Sequence, residues 1–433
     1  MKLTIILSFV AAATAIPGLS SLQTWLASFQ QPILNLIDNP RRTSTIPQFI
    51  LDTNHPWILA NQRKLEGLPN SEAFLCQDLD LNRHPESQAS GADLEVPANL
   101  FDNLVIDNNR AGTSRPGWPN AIERLTEINR CPRALANAKS LHVDVYVHCD
   151  SYSDLWLRAL EPCHPPQEVA ILFSDVLGSM TSLQHLYWGI PQGDAHFFEE
   201  SFKCRNLSMP SVTSLKPGPL SQYLVGICPH LEELEDGSGY GWYDYSLAPG
   251  LKRFAMYGAH EGWSPSMASE VVKSMPQLES LRLDGSLGRD RNEEKTSDLK
   301  EITTILSALE NLTHIDLPHS SGLGLGFDGG AWCGNAYYGK SGRAYGRSVL
   351  RQGAEITELA ADIVMANLPQ LKSFTIGGMA PNVTRAENGT VSLVWPWTGR
   401  MREWLLEVEP EVEDFEDVEY GGMGGVDFDG VEG

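Results

Sequence analysis

The sequence predicts an α/β solenoid of repeated helix–turn–strand units, with a parallel sheet on its concave side and helices on its convex side. Three observations carry that reading. A short phrase recurs along the chain: an apolar residue, two others, leucine, two others, then two apolar residues flanking a polar one. A segment of helical period precedes each good copy. After that segment the period switches to two, the mark of a short strand.

Four copies of the phrase are complete. They run from Met180 to Trp188 around Leu183, from Met275 to Leu283 around Leu278, from Leu309 to Leu317 around Leu312, and from Leu368 to Ile376 around Leu371. Cys228 to Leu234, around Leu231, and Leu251 to Met256 are partial copies, and Leu141 to Val145 is read as the first. The helical faces are explicit. Val169, Leu172, Val176 and Met180 precede Leu183. Met267, Val271 and Met275 precede Leu278, with Ser264-Pro265 as the start signal and Pro276 as the stop. Leu299, Ile302, Ile305, Leu306 and Leu309 precede Leu312, with Ser297 as the expected cap. Ile356, Leu359, Ile363 and Leu368 precede Leu371. No such unit buries its apolar face alone, so the units must stack.

Helix, turn and short strand in this order form the leucine-rich-repeat unit. The anchors Leu251, Leu278 and Leu312 lie 27 and 34 residues apart, against a usual repeat of about 20–29. The region from Leu135 to Ile376 resembles the irregular leucine-rich repeats of filamentous fungi. That resemblance implies a horseshoe-shaped solenoid and protein binding without catalysis. Many such proteins begin with an F-box that recruits a ubiquitin ligase. An F-box-like start is missing here, which argues against that role.

Around the repeats the chain divides into four segments. Residues 1–15 read as a secretory signal peptide: Lys2, an apolar run from Leu3 to Val10, and the small-residue site Ala13-Thr14-Ala15. Residues 16–130 read as an N-terminal cap, with an amphipathic helix over Thr24–Ile37. Residues 131–405 hold the solenoid and its insertion loops. Residues 406–433 read as a disordered acidic tail. That tail carries eleven carboxylates, no Lys or Arg follows Arg402, and its removal would take the net charge from −23 to −12.

Net charge −23 excludes a polyanion-binding class such as nucleic-acid readers. No apolar run is long enough to span a bilayer. Four sequons, at Asn206, Asn311, Asn382 and Asn388, fit a secreted glycoprotein. Of seven cysteines, Cys149 with Cys163 and Cys204 with Cys228 are expected to form local disulfides.

Motifs of catalysis fail on inspection. Gly334 to Ser341 satisfies the phosphate-loop spacing, but its glycine-rich flanks predict neither the strand before it nor the helix after it. Asp78-Leu79-Asp80-Leu81-Asn82 opens like a calcium loop, but Arg83 and Ala89 stand where glycine and glutamate are needed. No catalytic set, cofactor or metal site is expected. Two aromatic loops are the expected partner site: Tyr240, Trp242, Tyr243 and Tyr245 after one strand, and Trp332, Tyr337 and Tyr338, with Tyr345 beyond, after another. Tyr and Trp give large contact area at low entropy cost. Period-two alternation places Tyr146, His185, Tyr187, Glu233, Arg253, Tyr257, Arg282, Asp284, His314 and Asp316 on the concave face. The leading expectation is therefore a secreted, non-catalytic protein that binds a protein partner through its repeat surface or these loops. A carbohydrate-active or carbohydrate-binding protein is one alternative. An intracellular F-box-like adaptor, if the first 15 residues are not a signal peptide, is the other.

Overall fold

The structure is a computed structural model. It describes residues 49–50, 55–66, 71–76, 94–107, 117–145, 164–236, 247–256, 262–287, 296–386 and 391–397. The proposed signal peptide, the acidic tail, the Thr24–Ile37 helix, the Asp78–Asn82 motif, Cys149, Cys163, Asn388, Tyr146, Tyr257 and the loop from Tyr240 to Tyr245 lie outside the described residues.

Among the described residues, nine strands form one sheet whose spatial order is its chain order. They are β1 (Asn103–Asp107), β2 (Ser140–Asp144), β3 (His185–Gly189), β4 (Ser214–Pro217), β5 (Glu233–Asp236), β6 (Arg253–Met256), β7 (Ser280–Leu283), β8 (His314–Leu317) and β9 (Ser373–Ile376). Every neighbouring pair is parallel. The helices are α1 (Pro56–Glu66), α2 (Ser71–Cys76), α3 (Trp118–Asn129), α4 (Pro132–Asn137), α5 (Gln167–Ser179), α6 (Ala195–Cys204), α7 (Tyr223–Ile227), α8 (Pro265–Ser274), α9 (Thr296–Leu306) and α10 (Gly339–Asn367). A parallel pair needs a crossover between its strands, and most of these helices lie in the crossovers.

The recurring phrase folds as a turn followed by a strand. Its first apolar residue accepts a hydrogen bond from the amide of the leucine three positions on. The pairs are Met180/Leu183, Met209/Val212, Cys228/Leu231, Ala248/Leu251, Met275/Leu278, Leu309/Leu312 and Leu368/Leu371, at 3.1–3.2 Å. Both ends of each turn are buried. Proline occupies the second position in five of the seven: Pro210, Pro229, Pro249, Pro276 and Pro369. Its fixed φ prepares the chain for that position.

Directly after each turn the backbone enters a continuous ladder. The amides of Lys139, Gln184, Thr213, Glu232, Lys252, Glu279, Thr313 and Lys372 each donate to the preceding member of the series, which starts at the Asp102 carbonyl, at 2.8–3.0 Å. Two residues further, the strands align Leu104, Leu141, Leu186, Leu215, Leu234, Phe254, Leu281, Ile315 and Phe374 in one register row. All nine are buried. An aromatic group fills the core beneath β3, where Trp188 meets Phe173, Phe198 and Phe202 at 4.9–5.7 Å between ring centres. Tyr223 closes it against Phe202. Burial pushes the Tyr223 phenol far above its usual range, and the nearby Ser221 and Trp188 draw it only partly back.

Several expectations need correction. The sheet starts at β1, inside residues 16–130 read as a cap, so Leu141 lies on the second strand. Strand β4 was not expected, because Val212 replaces the central leucine and Pro217 ends the strand. Cys204 and Cys228 are not joined. Cys204 ends α6 in solvent, whereas Cys228 is the buried first residue of a turn, and both are free thiols. The disulfide among the described residues is instead Cys76–Cys131, which fastens α2 to the start of α4 across 55 residues. Ser264 caps α8 as expected, accepting from the Met267 amide at 3.4 Å. Ser297 lies within α9, which begins at Thr296. In α10, Leu359 is exposed. The face turned inward carries Ala354, Thr357, Ala361 and Val364, small residues that allow close approach to α9. There Asn367 donates to the Thr303 hydroxyl at 3.0 Å.

The last strand is covered by an antiparallel hairpin, β10 (Asn382–Arg385) with β11 (Val391–Val394). Trp395 and Trp397 follow it as a stacked pair, 4.9 Å between ring centres, and Trp395 meets Phe374 of β9 edge-on. This covers apolar core at the β9 end of the sheet.

Two outcomes follow from this packing. Leu281→Ala should cost about 2–5 kcal/mol, as buried leucines do, whereas Leu359→Ala should stay within about 0.5 kcal/mol; urea unfolding of both variants measures the contrast. Burial also pushes the Cys228 thiol up to about 12. A thiol-alkylating reagent at neutral pH should label Cys204 and Cys333 in the native protein and reach Cys228 only after unfolding, as read by mass spectrometry of the modified peptides.

Candidate functional site

Alternate strand residues point away from the buried row and build a continuous polar surface on the other face of the sheet. Its most ordered part spans β2 to β5. Val105, His142, Tyr187 and Lys216 occupy consecutive register positions. The His142 and Tyr187 rings stack at 4.1 Å and are nearly parallel at 6°. The Lys216 ammonium stands 5.7 Å from the Tyr187 ring centre and pairs with the Glu235 carboxylate. Partial burial, and then the charge of Asp144, push the Tyr187 phenol upward; Lys216 opposes them. The cluster is thus an aromatic plate with a cation over one ring.

The neighbouring strands continue the surface with paired charges. Arg253 donates to Glu233 at 3.1 Å, and that bond holds its guanidinium above the ordinary range. Arg282 meets Asp284 at 3.1 Å. His314 bridges Ser373 at 2.7 Å and Asp316 at 3.1 Å, and the Thr375 hydroxyl donates to Asp316 at 2.6 Å. His185 is exposed at the edge of β3. The sequence placed His185, Tyr187, Glu233, Arg253, Arg282, Asp284, His314 and Asp316 on this face, and they stand there together. It missed His142, Lys216 and Glu235, although Met209-Pro210-Ser211-Val212 carries the proline turn that announces β4.

The aromatic segment after β8 is only partly open. Trp332 is wholly exposed, at 103% of its reference area, and Tyr338 is 76% exposed. Tyr337 folds back instead: its hydroxyl donates to the Ala331 carbonyl at 3.3 Å and its ring packs 5.4 Å from that of Tyr345. Tyr240, Trp242, Tyr243 and Tyr245 lie outside the described residues, so their part in the expected partner site rests on sequence alone.

The phosphate-loop match resolves in two parts. A helix does begin at Gly339, contrary to the sequence expectation. The strand is missing: β8 ends at Leu317, and Gly334 to Tyr337 form a 3-10 turn. A side chain at Gly342 would collide with the Tyr337 backbone, so the chain folds onto itself where a phosphate cradle would need space. Asn206, Asn311 and Asn382 are exposed and open to modification. Among the described residues, no group of three or more His, Cys, Asp or Glu is placed to hold a metal ion. No helix among them is long and apolar enough to cross a membrane.

Chemically, this face offers stacking, charge-assisted hydrogen bonds and alternating sign within a few strands. Such groups discriminate a partner by complementarity. No model of a known protein family matches the chain, and a search of curated proteins finds no match.

The face should tolerate change without loss of the fold. Glu233→Ala and Arg253→Ala should each alter stability by about 1 kcal/mol or less, since exposed ion pairs contribute little. Trp188→Ala, in the core beneath β3, should cost about 3–5 kcal/mol. Chemical denaturation of the three variants checks the difference.

Proposed function

We propose that the chain is a secreted, non-catalytic recognition protein of the irregular leucine-rich-repeat type, whose sheet curves so that its polar face is concave and receives a protein partner. The observation that carries this reading is the side-by-side placement of His142, Tyr187, Lys216, Glu235, Arg253 and Arg282 on successive parallel strands. Parallel stacking multiplies shallow contact positions at regular spacing, which suits a large macromolecular surface. The Cys76–Cys131 disulfide supports an oxidising compartment, and the exposed sequons support passage through the secretory route.

One feature favours a second reading. The full exposure of Trp332, with Tyr338 nearby in sequence, suits a sugar ring that stacks on an indole face. In that reading the protein binds glycan at the segment after β8.

The deciding experiment uses purified full-length protein as bait in culture medium, identifies what it retains, and measures affinity for the isolated partner. Tyr187→Ala with Arg253→Ala and Arg282→Ala should weaken binding by about tenfold or more, equivalent to about 1.4 kcal/mol. Trp332→Ala with Tyr338→Ala should leave a protein partner bound. Loss only in the second variant, together with retention on a glycan array, selects the glycan reading. Hydrolysis of a polysaccharide panel by the purified protein would overturn the non-catalytic reading.

A further inference from the structure

Helix α10 differs from its neighbours in length and charge. It has 29 residues, against 10 in α8 and 11 in α9, so it runs about 43 Å where they run about 15–17 Å. Its C-terminal half packs through Ala354, Ala361 and Val364, whereas its N-terminal half exposes Arg343, Tyr345, Leu350 and Arg351. Between Asp328 and Glu355 the chain carries Lys340, Arg343, Arg347 and Arg351 and not one Asp or Glu. Positions 343, 347 and 351 are four apart and share one helix face. In a chain of net charge −23, this is a concentrated basic surface.

The complementary charge lies at the other end of the same region. Glu407 to Glu419 places eight carboxylates in thirteen residues, interleaved with Val408, Val412, Phe415 and Val418. Trp397, ten residues before Glu407, stands against α10 itself, its indole donating to Glu358 at 3.0 Å. Along the helix, Glu358 is about 10 Å from Arg351 and about 22 Å from Arg343 at 1.5 Å per residue. The ten residues from Trp397 to Glu407 span up to about 33–36 Å when extended. The acidic run therefore reaches all three arginines without strain on the tether.

We propose that the acidic segment Glu407–Glu419 docks in cis on the basic N-terminal half of α10. Opposite charge draws it there, and the rest of the strongly acidic molecule repels it elsewhere. Its valines and Phe415 meet Leu350, which borders the arginine row. The short tether sets an effective concentration in about the millimolar range, so modest pairwise attraction suffices.

The test is zero-length carboxyl-to-amine coupling of the full chain, with cross-links located by mass spectrometry. Lys340, in the first turn of α10, should couple to carboxylates of 407–419 at about 0.1 M salt, where the Debye length is about 10 Å, and lose most of that yield at about 1 M, where it is about 3 Å. Charge reversal in R343E/R347E/R351E should lower the yield about tenfold. If that variant does not fold, a second one answers the same question. With all eight carboxylates of the run changed to amides (Glu→Gln, Asp→Asn), amides of 339–352 should exchange hydrogen faster than in the unaltered chain. An equal mixture of light and nitrogen-15-labelled protein should give cross-links within single copies. Absence of the Lys340 link, indifference to salt and charge, unchanged exchange, or links that join light to heavy copies would each overturn docking in cis.

Discussion

The fold depends on one repeated constraint: a short turn that ends in a buried leucine delivers the chain to a fixed point on a backbone ladder. Each turn is closed by its own hydrogen bond, with both flanking side chains in the core. The next amide then donates to the equivalent carbonyl before the preceding strand, and this relation continues unbroken from Asp102 to Lys372. Register follows without further specification. A slip of one residue would turn the row from Leu104 to Phe374 toward water and bring Arg253 and Arg282 into the core. The hydrophobic effect sets the faces, and the ladder sets the alignment.

That division explains why helices and loops vary so widely while the sheet does not. Crossovers range from the five-residue α7 to the 29-residue α10, yet each returns the chain to the same ladder position. The two ends are closed by different means. At the start, the Cys76–Cys131 bond fastens α2 to the start of α4. At the finish, the Trp395–Trp397 stack lies against Phe374. Small helical residues such as Ala354 and Ala361 let α10 approach α9 closely, and that packing leaves the arginine-rich half of α10 to project.

Much of the sheet was legible because leucine at the turn and period two after it are local signals. Strands β2, β3, β5, β6, β7, β8 and β9 coincide with phrases read directly from the sequence. β4 escaped because Val212 does the work of leucine and the strand stops at Pro217. β1 escaped because Leu104 and Ile106 lack a leucine-centred turn before them. Proline at the second turn position, present at 210, 229, 249, 276 and 369, is the stronger marker and would have recovered β4. The disulfide was not legible. Cysteines close in sequence suggested local bridges, whereas Cys228 serves as a buried turn residue and Cys76 finds a partner 55 positions away through tertiary packing. On the polar face, alternation identified members one strand at a time. The stacking of His142 on Tyr187, and the placing of Lys216 beside them, depend on register between strands far apart in sequence.

The polar face inherits its alignment from the ladder beneath it, because its strand residues follow the ladder amides by one or three positions, as Glu233 and Glu235 follow Glu232. The most direct measurement of that dependence is native-state amide hydrogen exchange at the strand-entry positions Lys139, Gln184, Thr213, Glu232, Lys252, Glu279, Thr313 and Lys372. Strong protection is expected at all eight, with the interior members opening only in large cooperative units. Exchange at an unfolded-chain rate at Glu232, Lys252 or Glu279, with protection retained on either side, would contradict it.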